Sequence, residues 1–141
     1  MIGVIVAAHG RLSEALLEAA LLVVADVDQV RAVGIVKSDD SHAIEARLRE
    51  AVAALEGCQG ILILTDMFGG SPSNIGLTLH QPGKVEVLTG ANLPMVIRAL
   101  QLSHKAIDLA AAAREVKDYG ARAIAVASEV LGAQTGKEKS A

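Results

Sequence analysis

Three short polar segments each follow an apolar run that reads as a β-strand. His9-Gly10 follows IGVIVAA, Asp66 and Gly69-Gly70-Ser71-Pro72 follow GILILT, and Thr89-Gly90-Ala91-Asn92 follows KVEVL. Histidine and aspartate are a pair with a definite chemistry. A carboxylate accepting from one ring nitrogen fixes the imidazole tautomer and leaves the other nitrogen as a lone-pair nucleophile. Ser71-Pro72 has the form of a helix start, with Ser71 as cap and Pro72 in the first turn. Helix starts present free amide donors and a partial positive charge, which suit a phosphate. Gly69 and Gly70 carry no side chains, so their backbone can close on an anion. Imidazole, orienting carboxylate and anion cradle together suggest a histidine that carries a phosphoryl group. Taken singly, each has an ordinary role as well: His9 as a packed or turn residue, Asp66 as a turn cap, Gly69-Gly70 as a simple loop.

The elements that must bring these residues together alternate along the chain. Strands are expected at Ile2–Ala7, Val30–Val36, Gly60–Leu64 and Lys84–Leu88. Helical spacing is expected at Leu12–Ala25, with Leu16, Ala19, Ala20 and Val23 on one face. A second helix runs over Ser41–Glu56, with Ile44, Leu48, Ala51, Val52 and Leu55 inward and Gly57 as its stop. A third runs from Ser71 to Leu79, and a fourth is capped by Asn92 ahead of Leu93-Pro94. Ser103 is expected to cap a helix to Tyr119, with Gly120 leading into a fifth apolar run, Ala121–Ala127. This βαβα rhythm argues for a single α/β domain with a parallel sheet and helices on both faces. In such sheets ligands bind beyond the carboxyl ends of the strands, where strand order reverses. In the order 2-1-3-4, strands one and three are neighbours about 4.8 Å apart, which brings His9 within reach of Asp66.

Composition narrows the function classes. A chain of 141 residues is the size of one domain, and 52% hydrophobic residues exclude a disordered chain. The longest apolar stretch, Met1–Ala8, is far short of the roughly 18 residues a membrane-spanning helix needs. No basic residue precedes it, so it does not read as a secretory signal. Phe68 and Tyr119 are the only aromatics, and 13 Lys+Arg stand against 16 Asp+Glu, which argues against nucleic acid. The lone Cys58 forms no internal disulfide and no multi-cysteine metal site, so a reducing, cytoplasmic compartment fits. Cys58 reads as a small buried filler, and His42, His80 and His104 as surface histidines. Gly136-Lys137 is followed by Glu138 rather than Ser or Thr, with no strand leading in, so it is not a nucleotide loop. The organisation expected is a domain over residues 1–130 and a polar, mobile tail over 131–141.

The segments IGVIVAAHG (2–10), LTDMFGGSPSN (64–74) and LTGANLPMVIRAL (88–100) resemble the mannose-type enzyme IIA of the bacterial phosphoenolpyruvate-dependent sugar phosphotransferase system. The resemblance extends to about residue 130. It implies that His9 accepts a phosphoryl group from HPr and passes it to an enzyme IIB, with Asp66 as the carboxylate beside the histidine. Ser71 and the backbone amides of Gly69-Gly70 would form the phosphate-binding corner. The chemistry implied requires neither metal nor bound nucleotide. The fold implied is a mostly parallel sheet of order 2-1-3-4 with an antiparallel edge strand, commonly exchanged within a homodimer. Ala121–Ala127 would supply that strand. Ala8 stands where relatives often carry Thr or Ser, and Met67-Phe68 stands where a large aromatic is often found. With no appended IIB domain in the sequence, the IIB partner is expected to be a separate polypeptide, upstream of membrane IIC and IID components. A related phosphoryl-donor subunit of dihydroxyacetone kinase shares the fold, but the Gly-Gly-Ser-Pro loop favours the mannose type. A regulatory module whose phosphorylation state at His9 controls partner binding is the alternative; a phosphohydrolase fits less well, lacking an evident base for water.

Overall fold

Continuous apolar runs make the two central strands, because a strand covered by helices on both faces has no polar side to show. In the computed structural model, which describes residues 1–25, 27–67 and 71–132 without the side chains of 71–73, these are β1 (Ile2–His9) and β3 (Gly60–Thr65). They are buried on both faces along almost their whole length. Flanking them are β2 (Val30–Ile35) and β4 (Val85–Leu88). All pairings are parallel and the order is β2-β1-β3-β4, as expected. The helices are α1 (Leu12–Leu21), α2 (Ser41–Ala54), α3 (Ser71–Thr78), α4 (Leu93–Leu102) and α5 (Leu109–Arg122).

Side chains alternate across the sheet and so build two cores. Val4, Val6, Leu62 and Leu64 pack beneath α1, α4 and α5. Ile5, Ala7, Ile61 and Ile63 pack beneath α2 and α3. The inward residues expected for α2 are the ones found, Ile44, Leu48, Ala51 and Leu55 being buried and Val52 packed against them. Chain order reverses between β1 and β3, which puts the ligand-binding crevice of such a sheet at His9 and Asp66. Among the described residues no helix is long and apolar enough to cross a membrane.

Three expectations are corrected. α1 stops at Leu21, so Val23 lies in the following loop and is exposed rather than on the core face. Ser103 caps no helix start. Its hydroxyl donates to the Ile2 carbonyl at 2.6 Å while its own carbonyl accepts from Ile2 N–H at 2.9 Å, and Asp108 caps α5 instead. Gly120 is not a break but an interior residue of α5. A methyl group there would lie 2.2 Å from Met95 Cγ, so this glycine lets α5 approach α4 closely. The apolar run Ala121–Ala127 consequently begins as the last residues of α5, and no strand forms there; residues 127–132 are helical. Of the tail expected over 131–141, residues 133–141 lie outside the described residues.

Candidate functional site

The parallel register pairs Ala7 with Thr65, so Asp66, one residue beyond that pair, and His9, two beyond it, emerge together at the carboxyl edge of the sheet. Their contact is double. His9 Nδ1 lies 2.9 Å from Asp66 Oδ2, and the His9 backbone N–H donates to the same oxygen at 3.1 Å. An ionised carboxylate can only accept, so Nδ1 carries the proton and Nε2 keeps its lone pair. The carboxylate is sheltered, with 11% of its side chain exposed, while 49% of the imidazole faces solvent. The ring is thus anchored through Nδ1 and half-exposed to solvent.

Burial pushes the Asp66 carboxyl up, but hydrogen bonds from the His9 ring and the His9 amide, with the charge of the ring, outweigh it and hold the group below its ordinary value. The unfolded chain therefore binds a proton on Asp66 more readily than the folded one. Stability from this contact is fully present above the ordinary carboxylate value of about 4 and is lost as pH falls through the lowered one. Asp66→Asn is accordingly expected to melt below wild type near neutral pH, with the gap narrowing as the pH falls below the ordinary carboxylate value of about 4. Thermal melts across that range followed by circular dichroism check this; a gap independent of pH would contradict it.

The turn that carries His9 is tightly specified. Gly10 has φ +61°, a conformation that side chains resist. Its N–H donates to the Ile35 carbonyl at 2.7 Å, and its own carbonyl oxygen sits against Gly34, where a methyl group would be only 2.8 Å away. On the other side, the end of β3 is tied to the segment after β4. Ala91 N–H donates to the Thr65 carbonyl at 2.8 Å, and buried Thr65 Oγ1 reaches the Leu88 carbonyl at 3.5 Å. Asn92 caps α4 by accepting from Met95 N–H at 3.0 Å and donates to the Gly120 carbonyl at 3.1 Å. The LTGANLPM segment thus works as a brace that fixes the strand end preceding Asp66. Sequence reasoning passed over Thr65, whose signal is a hydroxyl at the end of an otherwise apolar strand.

Of the anion cradle expected at Gly69, Gly70 and Ser71, the two glycines and the Ser71 side chain lie outside the described residues; Ser71 is the first residue of α3. Phe68 likewise lies outside them, as does Gly136-Lys137. The other histidines are not drawn into the site. His42 is exposed, His80 faces Glu86 at 3.6 Å and His104 faces Asp28 at 3.8 Å. Cys58 is half-buried below Gly3, away from the carboxyl edge. Leu12 at the start of α1, Val36 just after β2 and Met67 just after β3 are exposed on the segments that leave the carboxyl edge, giving that edge an apolar rim.

Comparison with known proteins gives a consistent picture. Residues 3–117 match the family model EIIA-man, described as the PTS system fructose IIA component. The mannose-specific EIIAB component of Escherichia coli K12 is 27% identical over 100 residues, covering 70% of this chain and 31% of that protein. This chain therefore spans under a third of that relative's length. The fructose-specific EIIA component of Bacillus subtilis is 26% identical over 103 residues, covering 72% of this chain and 70% of that one. Among solved structures, a phosphotransferase system component EIIA from Streptococcus agalactiae superposes with a TM-score of 0.82 at 25% identity, over 92% of this chain and 99% of that one. The mannose/sorbose-specific IIA subunit from Enterococcus faecalis shares the fold, with a TM-score of 0.77 at 23% identity over 88% and 92% of the two chains.

Proposed function

The chain belongs to the EIIA-man family of phosphotransferase-system components, and on that premise we propose that it is a phosphoryl carrier, taking the group from phospho-HPr on His9 and passing it to an enzyme IIB. The observation that carries this reading is the double contact of His9 with Asp66 through ring and backbone. Nε2 of neutral His9 attacks phosphorus in line with the donor's phosphorus–nitrogen bond. That bond breaks and its electron pair returns to the donor imidazole, so one N–P bond forms as another is lost. The positive charge left on the His9 ring is stabilised by Asp66 through the Nδ1–H bond. The equatorial oxygens fall to the start of α3, with Ser71 and the amides of Gly69 and Gly70 as donors. Transfer to IIB runs the same step in reverse with a different acceptor. Such a transfer asks for alignment and charge stabilisation more than for covalent machinery.

Both partners are proteins, and the exposed Leu12, Val36 and Met67 rim is suited to seat each in turn while its histidine faces His9. The site of action in this reading is the cytoplasm, upstream of the membrane IIC and IID components. A homodimer belongs to the same reading. Ile124, Val126, Val130 and Leu131 are exposed beyond α5, and β4 has no outer neighbouring strand among the described residues, leaving an apolar segment and an open edge for a second copy. Sedimentation at micromolar concentration is expected to give a dimer; a monomer rejects this contact.

Incubation with labelled phosphoenolpyruvate, enzyme I and HPr tests the carrier reading. An acid-labile, alkali-stable label in the peptide containing His9, chased off by an enzyme IIB, is expected. No label, or label in a peptide without His9, overturns it.

A further inference from the structure

β2 is an outer strand, so every second peptide group along it faces away from β1. The Ile35 carbonyl faces β1, since it accepts from Gly10 N–H. The Gly34 carbonyl and the Val36 N–H therefore face the open edge, at the two positions where one residue of a further parallel strand would pair. Side chains occupy both. Arg47, on α2, donates from Nη1 to the Gly34 carbonyl at 2.7 Å, and Val36 N–H donates to Asp39 Oδ2 at 2.8 Å. Arg47 Nη2 donates in turn to that same Asp39 oxygen. Guanidinium and carboxylate thus stand in for the peptide group of a missing strand, closing an edge that would otherwise fray.

What this edge supports is the reactive turn. The Gly10 amide is bonded to Ile35, and the Gly10 carbonyl lies in van der Waals contact range of Gly34, so the turn after His9 rests on the stretch that Arg47 and Asp39 pin from outside. We propose that Arg47 and Asp39 are positioning residues for His9, holding the end of β2 so that the His9-Gly10 turn keeps the imidazole aligned on Asp66. This rests on the reading of His9 as phosphoryl acceptor. The carboxyl of Asp39 is held below its ordinary value by the Val36 amide and then by Arg47, so the pair stays charged across neutral pH. Arginine is needed because its planar fork reaches a carbonyl and a carboxylate together, which a lysine ammonium on one stem does not match.

Arg47→Met, Arg47→Lys and Asp39→Asn decide the matter with two readouts. In phosphoryl uptake measured against HPr concentration, Arg47→Met is expected to lose about tenfold in turnover with an unchanged KM for HPr, and Arg47→Lys to fall between it and wild type. In nitrogen-15 NMR of the free protein, the Gly10 amide is expected to exchange faster and the His9 ring signals to shift. Should Arg47→Met fail to fold, Arg47→Lys and Asp39→Asn carry the same readouts. Wild-type turnover with unmoved Gly10 and His9 signals overturns the proposal. So does a raised KM at unchanged turnover, which makes Arg47 a docking residue. The NMR arm needs no phosphoryl transfer, so absence of label on wild-type His9 sinks the carrier reading while leaving the Arg47–Asp39 question answerable.

Discussion

His9→Ala is expected to abolish phosphoryl uptake, with labelling from phosphoenolpyruvate through enzyme I and HPr reduced by at least about a thousandfold. The loss is that large because the substitution removes the nucleophile itself. His80 faces Glu86, His104 faces Asp28 and His42 is exposed in the first turn of α2, whereas His9 is the histidine in contact with Asp66. The fold is expected to survive. The ring is half-exposed, and the backbone N–H of residue 9 can still donate to Asp66 after truncation. A cooperative melt close to that of wild type, measured on the same preparation, separates loss of chemistry from loss of structure. Undiminished labelling would reject His9 as the acceptor.

Asp66→Ala is expected to slow phosphoryl uptake by about 10²–10⁴-fold without unfolding the chain, the range found when the carboxylate orienting a catalytic histidine is removed. Without this acceptor the proton is free to sit on Nε2, and the imidazolium formed in transfer has no counter-charge. Two N–H donors also lose their common partner. Rapid-quench measurement of single-turnover transfer from phospho-HPr reads the effect directly. The lower rate should persist at saturating HPr, because Asp66 is sheltered beneath the ring and does not meet the partner. A wild-type rate would remove the carboxylate from the mechanism; an effect confined to the KM for HPr would make it a docking group.

Much of this site could be read from residue order because the fold places it by topology. Apolar runs long enough for covered strands, separated by helical spacing, leave few arrangements, and the order 2-1-3-4 sets β1 beside β3. His9 and Asp66 were legible as the polar residues at those two ends. Asn92 was legible as a cap because a capping residue directly ahead of Leu-Pro has a local meaning. What escaped depended on contacts distant in the chain. Ser103 and Asp108 are both able to cap a helix, and only the pairing of Ser103 with Ile2 assigns the start to Asp108. Gly120 has the residue type of a helix stop, yet its lack of a side chain serves the packing of α5 on Met95. Short apolar runs such as Ala121–Ala127 fit either a strand or a helix by pattern. The Arg47–Asp39 pair joins residues on a loop and a helix whose common target, the outer edge of β2, exists only after the sheet has formed.

The central claim is that Asp66 holds the proton on Nδ1 of His9 and so directs the phosphoryl group to the other ring nitrogen. Nitrogen-15 and phosphorus-31 NMR of the phosphorylated protein, with labelled histidine, reads that assignment at a single atom. Phosphorus coupled to His9 Nε2, with the proton retained on Nδ1, is the predicted result. Phosphorus on Nδ1, or on any residue other than His9, would contradict it.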